Sequence, residues 1–541
     1  MIGPAEKTGT MAAEVRAPEI ELLDAAAGAF RRRWVCVVAM LAVALTLGLN
    51  VIPHWIPTPD SALYLSLARS LVRGEGYQAD GIPHTLVLPG YPVMLAAIFR
   101  VAGEDFLVVN LVQAAFGMGC VLLTAVVLRR WVGTPAAVML AALVGLTETL
   151  VRWSARVLTD VPHLFFCLLA LLLIQEMSRR AGRASRLTLA CLVGLVVLVA
   201  GMLRLNGLLL LPVAAVALLW PRGNRLTLGE KCIALAVWTA AVGAPFVLWL
   251  RHVMSVPPEL RNTYLAWAGL DTGPVGLLTN TLATLATLPA QLAETLFRND
   301  LTLVPNVVVV LIAAAGLVLL ARRGAWALVL FTVLQVGLFS TQEFQRRYLL
   351  VVLPGVVAGF VVGAAWLASL ARRSLGTLGI NAPAGHAARL AVVMIVLVVL
   401  VLNLVPVVKW TVEAHGHPFY ETWRGGRWHE ERVLSAWMRE HTVADEVFWT
   451  ERPRVIAFLA DRKVMGPGTP CAARTVEPLP PSEALRRNLL HWQPRYVFLD
   501  DREKAYSDRV LEAVTEAWPA FRRVDVPGLS GLTVLDLPPP R

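Results

Sequence analysis

Two aspartates and four arginines stand where an otherwise apolar chain has little use for charge. Asp60 opens the amphipathic stretch 59–73, and Asp160 directly precedes an apolar run at 161–175. Arg204 is alone between two apolar runs, Arg346 and Arg347 precede Tyr348 at the head of another, and Arg298 lies in the sequence FRND at 297–300. A positioned carboxylate can take a proton from a hydroxyl. Guanidinium groups bind phosphate oxygens in a bidentate fashion, so a pair at a membrane boundary fits a lipid-phosphate head group. Simpler roles exist for each. Asp60 and Asp160 are good helix N-caps, Arg204 can snorkel to an interface, and an Arg-Arg-Tyr run can anchor to any head group. A lone arginine between apolar runs is nonetheless costly unless it faces a cavity or a partner.

These residues need elements to hold them. The chain of 541 residues is 57% hydrophobic and only 16% charged, against about 25% charged in soluble proteins. It therefore reads as a polytopic α-helical membrane protein. Arg31, Arg32 and Arg33 precede a charge-free run at 34–52, taken as an uncleaved first span after a loose cytoplasmic tail. Ten more runs follow, at 106–128, 132–147, 161–175, 187–203, 205–220, 232–250, 301–321, 325–341, 348–371 and 390–408. Eleven spans place the inter-run segments alternately on two sides. One side carries 14 Lys and Arg in 46 residues and the other 11 in 123. Cytoplasmic loops are the basic ones, so the N-terminus is expected inside and the C-terminus outside, periplasmic or extracellular. The net charge of +11 is accounted for by these loops, and no nucleic-acid partner is implied.

The expected organisation is a tail (1–33), a membrane module (34–408) and a soluble extracytoplasmic α/β domain (409–541). The module has a first outer loop at 53–105 and a larger one at 251–300, long enough to act as a lid. In 61–73, Leu63, Tyr64, Leu67, Ala68, Leu71 and Val72 share one helical face, with Ser66, Arg69, Ser70 and Arg73 on the other, which is the pattern of a helix lying in the interface plane. A Pro-Gly-Tyr-Pro turn at 89–92 follows. Asp60, Asp160, Arg204 and the Arg346–Arg347 pair all fall on the outer side.

In order and sidedness, the stretches PDSALYLSLARSLVRGEGY (59–77), LPGYPVMLAAIF (88–99), LTDVPH (158–163), LRLNGLLLL (203–211) and RRYLLVVLP (346–354) resemble the GT-C glycosyltransferases. The likeness is to the branch of protein O-mannosyltransferases and lipid A aminoarabinose transferases. It implies transfer of a sugar from a polyprenyl-phosphate donor to a glycan, lipid or protein acceptor hydroxyl, with inversion, at the plasma (inner) membrane. Asp60 then aligns with the catalytic acid, with Asp160 as a second carboxylate. Arg346, Arg347 and Tyr348 align with the region that holds the donor phosphate, with Arg204 and Arg298 as further contacts. Tyr64, His84, Tyr91 and His163 are candidates for the acceptor side and its loop. A divalent metal shared by Asp60 and Asp160 stays open, although no HxxxH-type spacing points to one. The turn departs from the Pro-Pro-Leu of the closest branches, and no lysine follows it. The rival reading is a transporter or flippase of a lipid-linked saccharide. The unequal outer loops and the lack of any internal repeat speak against that.

Overall fold

The computed structural model describes residues 17–177, 183–219, 227–261, 273–297, 303–340, 346–377, 381–415, 427–467 and 481–538. Among them, six helices are long and apolar enough to cross a membrane, or up to eight if two bent pairs each count as one span. The protein is a multi-pass membrane protein, but its eleven charge-free runs do not become eleven such helices. Runs 187–203 and 205–219 form short apolar helices that part at Arg204, and run 132–147 forms half of a pair bent by 59°. Runs 301–321 and 325–341 adjoin at Gly324, whose φ of 94° turns the chain between them.

Residues 18–31 were expected to be a loose tail. Instead Pro18–Ala26 is a helix, and Ile20, Leu23 and Ala27 are buried in the main core. The apolar residues of the stretch, spaced for one face, are what draw it in. Residues 1–16 lie outside the described residues.

The helix Leu353–Thr377 runs through the centre of the module, buried along almost all of its apolar length. Its Gly359 and Gly363 let the helix Leu303–Leu320 come very close. A Cβ on Gly316 of that helix would stand 1.8 Å from the Gly359 carbonyl oxygen, so only glycine fits.

The helix Pro59–Arg73 packs against the helix Gly90–Ala102 around Ala62, Leu65, Tyr91 and Leu95. A two-strand hairpin, β1 (Gln78–Ala79) and β2 (Ile82–Pro83), links them through an Asp80-Gly81 turn with positive φ at both residues. Gly90 sits against the backbone of Met202, where a Cβ would come within 2.6 Å of the carbonyl.

The C-terminal unit carries a five-stranded mixed sheet. Its strands are β3 (Val447–Trp449), β4 (Lys463–Met465), β5 (Tyr496–Asp500), β6 (Arg522–Val524) and β7 (Leu532–Asp536), in the order β4-β3-β5-β7-β6. The β3 pairings with β4 and β5 are parallel, and those of β7 with β5 and β6 are antiparallel. The sequence pattern marks β3, β5 and β7. It misses β4 and β6, which are three residues each and too short to show alternation.

The face of Pro59–Arg73 that was expected to meet water is covered by this unit. Phe458, on the helix Pro453–Ala460, packs with Trp55 and Phe106 at ring distances of 5.0 and 6.4 Å. Arg69 lies over the Phe458 ring at 4.0 Å, and Arg73 pairs with Asp461 at 2.7 Å.

Candidate active site

Capping residues settle where Asp60 can point. Thr58, not Asp60, is the N-cap of Pro59–Arg73. Its hydroxyl accepts from the Ser61 amide at 3.1 Å, and the Ser61 hydroxyl accepts from the Thr58 amide at 2.9 Å. This reciprocal box satisfies the helix start. Asp60, one turn position inside, keeps its carboxylate for the space beyond.

That space is a cavity of about 70 Å³, lined by Asp60, Tyr64, Asp160, Arg204, Arg347, Tyr348 and Arg454, with Leu63, Leu86, Val87, Leu88, Thr159 and Leu203 as its apolar wall. Arg347 donates to one Asp60 oxygen, and Arg454 stands 3.4 Å from the other. Burial alone would raise the Asp60 pKa. The charge and hydrogen bond of Arg347, with the charges of Arg454 and Arg204, outweigh it and hold the carboxyl below the usual carboxylate range.

Asp160, buried at the start of the helix Asp160–Met177, accepts from Arg204. Arg204 takes an extended conformation (φ −152°, ψ 133°) at the break after the helix ending at Leu203, and this swings it into the cavity. Its guanidinium stacks over Tyr348 at 4.5 Å, and that of Arg347 lies 5.3 Å from the same ring. Asn206 and Gln335 exchange hydrogen bonds of 2.8 and 3.0 Å behind it. The Arg347 Nε–H is buried and has no partner among the described residues.

ArnT from Cupriavidus metallidurans, solved bound to undecaprenyl phosphate, superposes at a TM-score of 0.59 with 16% identity, over 92% of this chain and 97% of that one. The archaeal oligosaccharyltransferase AglB from Archaeoglobus fulgidus, in complex with an inhibitory peptide and a dolichol-phosphate, gives 0.54 with 13% identity over 92% and 74%. The fold is that of the GT-C glycosyltransferases. The family described as dolichyl-phosphate-mannose-protein mannosyltransferase matches residues 84–249 of this chain. That stretch holds Asp160 and Arg204 but not Asp60, Arg347 or Arg454. No curated protein sequence matches.

Six of the residues singled out in the sequence thus share one cavity of the GT-C fold: Asp60, Tyr64, Asp160, Arg204, Arg347 and Tyr348. Three others do not line it. Tyr91 is fully buried behind Tyr64, at a ring distance of 5.1 Å, and its hydroxyl accepts from Gln113 at 2.6 Å. His84 accepts from the Val87 amide at 3.0 Å, and burial first, then the charges of Arg454 and His252, push its pKa down to about 3. It is a neutral brace for the loop that walls the cavity. His163 is buried beside the Ala200 carbonyl. Arg298 and the side chain of Arg346 lie outside the described residues. Most of the described part of the 251–300 loop is helix, including Gly273–Phe297, whose Leu292, Leu296 and Phe297 are buried in the main core. Arg454 was not anticipated. It sits in a polar stretch where an arginine carries no signal.

An oligosaccharyltransferase from Archaeoglobus fulgidus has been solved in complex with Zn and sulfate, at a TM-score of 0.52 and 13% identity over 91% of this chain and 72% of that one. The cavity here is a poor fit for a dication. Both carboxylates are engaged by arginines, and among the described residues no three His, Cys, Asp or Glu side chains converge.

Proposed function

We propose that this integral-membrane glycosyltransferase moves a sugar from a polyprenyl-phosphate donor to an acceptor hydroxyl, with inversion, on the outer face of the plasma (inner) membrane. In this reading Asp60 is the base. Its carboxylate is ionised at neutral pH and accessible from the cavity, and it takes the acceptor proton as the hydroxyl oxygen attacks. Arg204 and Arg347 bind the donor phosphate and stabilise the charge it gains, with Tyr348 beneath both guanidiniums. Asp160 orients Arg204. Tyr64 lies on the acceptor side, and Arg298 and Arg346 remain candidates for the phosphate. The N-terminus is cytoplasmic and the C-terminal unit extracytoplasmic. No step is routed through a metal, whose cation would compete with three arginines.

One observation carries the proposal. A carboxylate and arginines, groups able to take a proton and to bind phosphate, meet in a cavity of a fold whose solved members include one bound to undecaprenyl phosphate. The rival transporter needs no base and releases no lipid phosphate. Purified protein in nanodiscs, given polyprenyl-phosphate-linked sugars and a cell-envelope fraction, should release polyprenyl phosphate. Asp60→Asn should slow that release by about 10²–10⁴-fold with its thermal midpoint unchanged. Full activity in a folded Asp60→Asn protein removes the base role, and no release from wild type favours the transporter.

A further inference from the structure

We propose that Arg454, carried by the C-terminal unit, is the exchangeable cation of the cavity. It pairs with Asp60 before transfer and passes to the lipid phosphate as the sugar leaves, which makes the C-terminal unit part of the active site. The proposal deepens the glycosyltransferase reading and rests on it.

The first argument is placement. Arg454 and Phe458 are four residues apart on the helix Pro453–Ala460, so they project from one face. Phe458 is locked. Its ring packs with Trp55 and Phe106, and Arg69 lies over it. Arg69 also donates to the Phe458 carbonyl at 2.8 Å and is held by both oxygens of Glu104 at 2.7 Å. One turn back along the helix, Arg454 is thereby aimed at Asp60.

Grip sets Arg454 apart from the others. Among the described residues, three arginines reach the two carboxylates. Arg347 is 13% exposed and Arg204 18%, whereas Arg454 is 39% exposed and its contact is 3.4 Å long. A long, half-open ion pair holds weakly, so Arg454 is the cation that can change partner at little cost.

Charge points the same way. Among the described residues that line the cavity, Arg204 and Arg347 balance Asp160 and Asp60, and Arg454 leaves one positive charge over, matched to the single negative charge of a phosphodiester donor. In the transfer, the bond between the anomeric carbon and the phosphate oxygen breaks, and its electron pair stays on that oxygen. The acceptor oxygen bonds to the anomeric carbon, and its proton goes to Asp60. The reacting groups carry two negative charges before and after. Before, one is on Asp60 and one on the phosphodiester; after, both are on the phosphomonoester. Asp60 loses its hold on Arg454 at the moment the phosphate gains a charge for Arg454 to meet. No lysine follows the turn at 89–92, and Arg454 lines the cavity with Leu86, Val87 and Leu88 from just before that turn.

Binding of undecaprenyl phosphate and of uncharged undecaprenol to the purified full-length protein in detergent tests this, with thermal midpoints recorded for each variant. Arg454→Ala should weaken undecaprenyl phosphate binding by about 10–100-fold, the range of a hydrogen bond to a charged group, and leave undecaprenol unchanged. Arg454→Lys should recover part of the loss. Should Arg454→Ala lower the midpoint, Arg454→Gln, which keeps the length and loses the charge, takes its place. Wild-type phosphate binding in the folded Ala or Gln variant, with Arg347→Ala impaired, overturns the role of Arg454 and leaves the lipid-phosphate reading intact. Wild-type binding in all of them removes that reading as well.

Discussion

The cavity has two carboxylates with opposite lives. Asp160 is 3% exposed, and among the described residues its ion-pair partner is Arg204, within the membrane module, with Arg347 acting on it through charge. Asp60 is 33% exposed and is held by two arginines, one from the module and one from the C-terminal unit. The first is a closed pair, and breaking it strands a buried charge. The second is an open triad in which one member can leave. Charge near a membrane can therefore serve architecture or chemistry, and exposure together with partner number tells the two apart.

Stability should separate them most. Asp160→Ala leaves Arg204 buried and unpaired, at an expected cost of about 3–5 kcal/mol. Asp60→Ala, at the open corner, should shift the midpoint far less. Chemical denaturation of both variants in detergent measures this, and equal losses would erase the distinction.

Acidity should test the open triad next. The Asp60 carboxyl is held below its usual range, against burial, by Arg347, Arg454 and Arg204. Its proton uptake then lies below the ordinary aspartate range, and the acid limb of the activity profile should lie there with it. Arg454→Gln removes one of the restraining charges, so the limb should move to higher pH. A limb that stays put would mean Arg454 does not act on Asp60.

The last contrast concerns a third carboxylate, outside the pair. Burial pushes the Asp80 pKa up to about 7, and Asp461 adds to it while Arg454 opposes it. A carboxyl that is harder to ionise in the folded state loses stability as pH rises from about 4 to about 7, and the loss is complete above that. Asp80→Asn should flatten this slope and raise the midpoint at pH 8 relative to wild type. Asparagine tolerates the positive φ of 55° at this turn.

The parts of the site that were legible in the sequence are those where charge interrupts apolar runs. Asp160, Arg204 and Arg347 stand out because lipid-facing sequence excludes such residues. Asp60 stood out too, but its capping role belongs to Thr58, and the choice between two neighbouring cap formers depends on backbone angles that composition does not carry. Arg454 was invisible because its helix is polar on one side and arginine is ordinary there. Its meaning comes from a contact across 394 residues. The eleven charge-free runs outnumber the six to eight candidate spans among the described residues for a related reason. A charge-free run states that a segment avoids water, not that it is straight. The bends at 146–147 and 204 and the turn at Gly324 are set by packing.

Gly90 has a consequence for substitution. Its Cα faces the Met202 carbonyl so closely that a methyl group would stand 2.6 Å from it. Met202 is two residues before Arg204. The first loop is thus in direct contact with the backbone just ahead of the arginine at the helix break, like two jaws closed on a shim of zero thickness. Any side chain at position 90 would set the gap between the Tyr64 wall and the Arg204–Asp160 wall. Glycine there acts as the gauge of the cavity, and the width of the site is encoded by an atom that is missing.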